Sequence, residues 1–174
     1  LGRGSDLREL IQHSSFEARL QNGNMMLRGP ARRVVTEIRL EQALIAAMPG
    51  KPITVRLQGL LDATPAELSV STGTLDDFVR DASQVPLSVE ARASDARLTL
   101  EGVVELPLGR GGALTMALAG EQLDALSDLT QVELPPWGPW SLEGPIGVTP
   151  TGYEVMQLTV RSGQSRLYGR GRVD

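Results

Sequence analysis

Two stretches, SFEARLQNGNMMLRG at residues 15–29 and SVEARASDARLTLEG at residues 88–102, align without a gap and match at Ser, Glu, Ala, Arg, Leu and Gly. In each, an alternating apolar run meets a polar break and then resumes. Phe16, Ala18 and Leu20 lead into Gln21-Asn22-Gly23 and then Met25 and Leu27; Val89, Ala91 and Ala93 lead into Ser94-Asp95 and then Leu98 and Leu100. A strand turns successive side chains to opposite faces, so alternation of this kind marks a strand with one covered face, and a polar break between two such runs marks a turn. Both stretches therefore read as β-hairpins, and their likeness reads as an internal repeat.

What precedes each hairpin also recurs. Leu7 with Leu10, Leu40 with Leu44, Leu75 with Phe78 and Val79, and Leu123 with Leu126 fall at helical spacing, which predicts four short helices starting near 7, 40, 75 and 123. Asp6 with Glu9, and Thr74 with Asp77, have the spacing of a capping side chain and its returning acid. Such short pieces are marginal in water and need a sheet to pack on. Proline follows the later ones at Pro49, Pro52, Pro86, Pro135, Pro136 and Pro139, where it stops a helix and opens a strand. Further strands are expected at Val34–Leu40, Ile53–Leu61, Leu68–Ser71, Leu114–Leu118, Leu142–Val148, Tyr153–Val160 and Arg166–Val173, with a register change at Gln157. The expected fold is mainly β: antiparallel repeated hairpins forming a curled, groove-like sheet, with short helices between repeats, over residues 1–174 as one segment.

Composition narrows the function. The chain has 174 residues, 41% hydrophobic and only 3% aromatic, enough to order a chain but with little bulk for a thick core. Lys+Arg 17 against Asp+Glu 21 gives a net charge of −4 with no basic patch, which argues against nucleic acid as a partner. With no cysteine and one histidine, His13, neither a thiolate nucleophile nor a multi-histidine metal centre can be built, and a serine triad would have to form around that one residue. Catalytic residues, metal ligands and cofactors are accordingly not expected. No apolar run approaches the roughly 20 residues that cross a bilayer as a helix. The chain begins at Leu1 without a signal-peptide pattern, and is read as a segment of a longer protein.

Written as strand, x-Leu-Asp-x-Leu helix, proline, hairpin and a closing strand ending in Leu-x-Gly, the unit resembles the repeats of the AsmA-like family, which includes the TamB-type proteins. The resemblance covers nearly the whole chain. It is sharpest in LTMALAGEQLDALSDL (114–129), LPPWGPWSLEGPIG (134–147) and YEVMQLTVRSGQSRLYGRGRVD (153–174). It implies a periplasmic location, anchored in the inner membrane of a Gram-negative bacterium through a segment outside this sequence, and a β-groove with an apolar lining. It further implies phospholipid or another acyl lipid as cargo, neighbouring repeats of the same chain as structural partners, and a link to outer-membrane assembly proteins.

The residues expected to line the groove come from the alternating rows: Phe16 and Leu20; Ile38; Ile53, Val55 and Leu57; Leu98 and Leu100; Leu114, Met116 and Leu118; and Val155. Opposite them, Glu17, Arg19, Thr54, Arg56, Gln58, Glu90, Arg92, Arg97, Thr99 and Glu101 suit a wet face. The same alternation fits a closed β-sandwich whose two inner faces meet, acting as a binding or scaffold module for envelope protein assembly or for carbohydrate. Trp137 and Trp140, flanking Gly138-Pro139, read as a packed turn or as a rim site. Asp76, Asp77, Asp124 and Asp128 lack the loop of a calcium site and suit helix N-terminal charge. The GRGG at 109–112 and GRGR at 169–172 lack the strand-turn-helix setting of a phosphate loop and read as turns or strand ends.

Overall fold

A computed structural model describes residues 14–28, 35–79, 83–107, 110–130 and 132–173. Ten antiparallel strands follow one another in sheet order as in sequence order: β1 (Phe16–Arg28), β2 (Val35–Ala47), β3 (Pro52–Leu61), β4 (Thr64–Thr74), β5 (Gln84–Ala93), β6 (Ala96–Glu105), β7 (Gly112–Gly120), β8 (Trp140–Thr149), β9 (Gly152–Ser162) and β10 (Ser165–Val173). The sheet is not closed, since β1 and β10 pair only inward among the described residues. A two-sheet sandwich is therefore not the architecture these strands adopt.

The tightest connections are two-residue turns with the backbone twist that suits adjacent antiparallel strands. Asp62 and Ala63, both at positive φ (47° and 70°), join Leu61 to Thr64, and Ser94 (φ 55°) with Asp95 joins Ala93 to Ala96. The hairpin expected in residues 88–102 is thus present as β5 and β6.

Its apparent twin is not a hairpin. Gln21-Asn22-Gly23 lies inside the single strand β1, where Asn22 takes φ 57° and stands outside the pairing opposite Glu41. The same polar break that can turn a chain has here inserted one residue into each of two paired strands. The insertion explains the alternation better than a turn does: the apolar residues change from 16, 18 and 20 to 23 and 25 on β1, and from 38 and 40 to 43 and 45 on β2, and all keep one face. A bulge resets the phase of a strand while leaving it in its sheet. A side chain on Gly59 would collide with the Arg39 carbonyl beside this irregularity, so the close approach requires glycine.

The helix predicted at Leu40–Leu44 is likewise replaced by strand, since β2 runs unbroken to Ala47. Leucine, alanine and glutamate there favour helix locally, but ladders to β1 and β3 on both sides outweigh a few tenths of a kcal/mol per residue of propensity. The helix predicted near Leu75 forms as α1 (Leu75–Val79). Its start is capped as the spacing implied: the Thr74 backbone N–H and hydroxyl both donate to Asp77 Oδ2 (2.7 and 2.8 Å), and the Asp77 N–H reaches back to the Thr74 hydroxyl at 3.3 Å. At Leu123 the chain makes a 3₁₀ turn (Leu123–Leu126) that runs into the one-turn helix α2 (Ser127–Thr130). The helix expected at Leu7, His13 and the strand start at Val34 lie outside the described residues.

The expected register change at Gln157 is present. Glu143 pairs with Thr159 but Ile146 with Val155, and Pro145 stands in the irregularity toward β9. Pro86 falls inside β5 instead of at its start, on the stretch that extends past the end of its pairing with β4.

Candidate functional site: the apolar face of the sheet

Residues paired across antiparallel strands share a face, so the register traces rows of side chains perpendicular to the strands. One row runs the full width of the sheet and is apolar at every step: Leu20, Ala43, Leu57, Leu68, Ala91, Leu98, Leu118, Leu142, Val160 and Leu167. Beside it runs Ala18, Ile45, Val55, Val70, Val89, Leu100 and Met116, ending at Gly144. Nine strand spacings of about 4.8 Å make the first row about 43 Å long, measured along the sheet surface.

Every groove residue predicted from sequence falls on this face. Leu20, Leu57, Leu98 and Leu118 belong to the first row, and Val55, Leu100 and Met116 to the second. Phe16, Ile38, Ile53, Leu114 and Val155 occupy the flanking positions, through the pairs Phe16 with Ala47, Ile38 with Leu61, Ile53 with Thr72, and Leu114 and Val155 each with Ile146. Sequence reasoning omitted Leu68 and Val70 of β4, Leu142 of β8 and Leu167 of β10. The alternation Ala66, Leu68, Val70 carried the signal, but in a strand read as only four residues long.

Coverage of the face is uneven. Val85, Val104 and Leu114 are buried together, with Phe78 of α1 and Leu87, Leu106, Ile146 and Val148 packed against them. At this corner α1 packs against the sheet through Phe78. Leu114 is thus part of a packed cluster, whereas Leu57, Leu68, Leu98, Leu118 and Leu142 are half-buried and, at the two edges, Leu20 and Leu167 are 56% and 64% exposed. Among the described residues only six apolar side chains are buried: Ala47, Val85, Ala96, Val104, Leu114 and Trp140. For ten strands that is a thin core among the described residues.

Within the open part, Gly59, Ala66, Ala91 and Ala93 stand between the longer Ile38, Leu57, Leu61 and Leu68, and the resulting trough has a volume of about 270 Å³. The opposite face is polar along its matching row except at Ala119, from Gln21, Gln42, Gln58 and Glu67 through Arg92, Arg97 and Ala119 to Ser141, Arg161 and Arg166. Its recess of about 440 Å³ lies between Arg19, Gln21, Gln42, Arg56 and Gln58, with Leu44 among its lining.

The other candidates divide. Trp140 is buried at the start of β8, its ring lying over Gly120, while Trp137 is 55% exposed, so the pair combines a packed residue with a surface one. Asp76 and Asp77 sit in the first turn of α1, and Asp124 in the first turn of the 3₁₀ helix. Gly111 accepts a bond from the Glu105 N–H in the β6–β7 connection, and Gly169 and Gly171 lie within β10. Searches against protein-family models, curated proteins and solved structures find no match to this chain.

Proposed function

We propose that this chain is a non-enzymatic segment of a periplasmic lipid-transfer or outer-membrane biogenesis protein, anchored to the inner membrane elsewhere in its sequence, whose apolar sheet face shelters acyl chains. The observation that carries the reading is the unbroken apolar row from Leu20 to Leu167 on a single ten-stranded sheet that does not close among the described residues. Apolar surface of this extent marks a place where another molecule sits. An acyl chain suits it because each buried CH₂ contributes about 0.8 kcal/mol without any directional contact, so a smooth wall suffices and the chain can move along it. A lipid headgroup would remain beyond the apolar surface, in water. The polar face, with its exposed ion pairs, keeps the reverse side of the sheet solvated. Neighbouring repeats of the same longer chain would continue the row at either edge.

Photo-crosslinking in the membrane-anchored full-length protein tests this directly. Benzophenone side chains at Val55, Leu100 and Leu118 stand on the apolar face and should form phospholipid adducts, identified by mass spectrometry. The same group at Arg56, Glu101 and Thr115, on the polar face, should not. Equal labelling from both faces, or only protein adducts from the first set in a functional protein, would remove lipid from the proposal.

A further inference from the structure

The connection between β7 and β8, residues 121–139, lies in the interior of the sheet order and sets exposed apolar side chains among acids. Trp137 and Val132 are 55% and 56% exposed, and Pro136 and Pro139 are exposed with them. The same stretch holds Glu121, Asp124, Asp128 and Glu133 and neither lysine nor arginine. Setting these four of the 21 acids aside leaves 17 against Lys+Arg 17, so this one connection accounts for the whole net charge of −4. Hydrogen bonds give it a fixed shape. The Leu123 N–H donates to the Trp137 carbonyl at 2.8 Å, and Gly138 packs so closely on the Glu121 carbonyl that a side chain there would collide with it. Trp137 is thereby held beside the segment that carries Glu121 and Asp124. The Leu134 N–H donates to Ser127 Oγ at 3.1 Å, and the Asp95 carboxylate takes the Glu121 and Gln122 amides. Glu121, Asp124 and Glu133 are exposed, and none forms an ion pair with another described residue.

We propose that the β7–β8 connection is a docking surface for an arginine-bearing segment of another polypeptide, with Trp137 as its anchor. An exposed tryptophan among groups that complement the partner is the composition of an interface centre, where tryptophan and arginine are enriched. A guanidinium stacks on an indole face and, in the same position, reaches a carboxylate with its N–H fork, so arginine answers Trp137 together with Glu121 and Asp124. The loop's own hydrogen bonds hold that arrangement before a partner arrives, which lowers the ordering cost of binding. The charge of the stretch selects a basic polypeptide over a bilayer, because four acids without a base oppose the anionic surface that draws interfacial segments to a membrane. This holds whatever occupies the apolar face.

The test titrates the chain into fluorescently labelled nonapeptides that alternate Arg with Gly or Lys with Gly, and follows anisotropy. The Arg peptide should bind saturably and about threefold more tightly than the Lys peptide, since only the guanidinium stacks and forks. Trp137→Ala, which leaves the charge unchanged, should weaken the Arg peptide about fivefold and erase its advantage over the Lys peptide. Glu121→Gln with Asp124→Asn should also weaken it about fivefold, the size of two exposed charge pairs. Glu101→Gln with Glu143→Gln removes the same charge from the polar face of the sheet and should change binding by less than about twofold, because salt screens charges that lie apart. Circular dichroism checks that each variant folds. Equal losses from the two charge-removing variants, or no loss from Trp137→Ala, would reduce the effect to bulk charge and overturn the proposal. So would absence of saturable binding. Two further results would replace the occupant and overturn it as well: a blue shift of tryptophan emission on phosphatidylcholine vesicles that Trp137→Ala abolishes, in place of peptide binding, and self-association of the chain that Trp137→Ala abolishes.

Discussion

Replacing one leucine at a time distinguishes an open sheet from a closed core, because the chemistry removed is constant and only the surroundings differ. Leu114 sits in the packed corner with Val85 and Val104 and is 8% exposed. Leu114→Ala should therefore cost about 3 kcal/mol, combining lost transfer free energy with an unfilled cavity. Leu98 lies on the same face one strand away, on β6, and is half-buried. Full burial of a leucine contributes about 1.5–3 kcal/mol and an open face leaves no cavity to collapse, so Leu98→Ala should cost about 1 kcal/mol. The difference of about 2 kcal/mol corresponds to about 4–8 °C in Tm for a chain of this size. Urea unfolding of delipidated protein, followed by far-UV circular dichroism, measures both. Equal losses at the two sites, near 3 kcal/mol, would mean that something in the protein packs over Leu98, and the open-face argument would fail.

Four further outcomes follow from the same coordinates. Leu57→Asp places a charge in the middle of the continuous apolar row and should abolish phospholipid co-purification measured by native mass spectrometry, while Arg56→Ala on the reverse face should leave it unchanged. Gly59→Val should destabilise by about 1–3 kcal/mol in urea titration, because its side chain meets the Arg39 carbonyl beside the bulge. Thr74→Ala removes the reciprocal cap of α1 and should cost about 1 kcal/mol, with Phe78 losing its hold on the Val85 corner and local hydrogen exchange rising there. Asp95 Oδ2 accepts the Glu121 and Gln122 amides at 2.9 and 2.8 Å, tying the β5–β6 turn to the end of β7; Asp95→Ala should therefore speed exchange of those two amides by more than that of the Ala117 amide in the β7 interior.

Period-two alternation was enough to establish a mainly β chain, to separate its two faces and to place Val55, Leu57, Leu100 and Leu118 together, because a strand's side-chain direction is a local property of the backbone. The Thr74–Asp77 cap and the register change at Gln157 were legible for the same reason. Local patterns could not decide between structures that share a signal. Gln21-Asn22-Gly23 suits a turn or a bulge, since both need a residue at positive φ between two alternating runs, and Leu40 with Leu44 suits a helix until neighbouring strands claim the backbone. In each case the deciding bonds come from residues distant in sequence: the ladder to β2 on either side of Asn22, and the ladders of β1 and β3 on either side of β2. Whether the apolar face met a second sheet was equally beyond alternation, which is identical in a sandwich and in a single layer. Only the pairing of all ten strands in chain order separated one continuous sheet from two packed sheets, because that pairing joins residues distant in sequence.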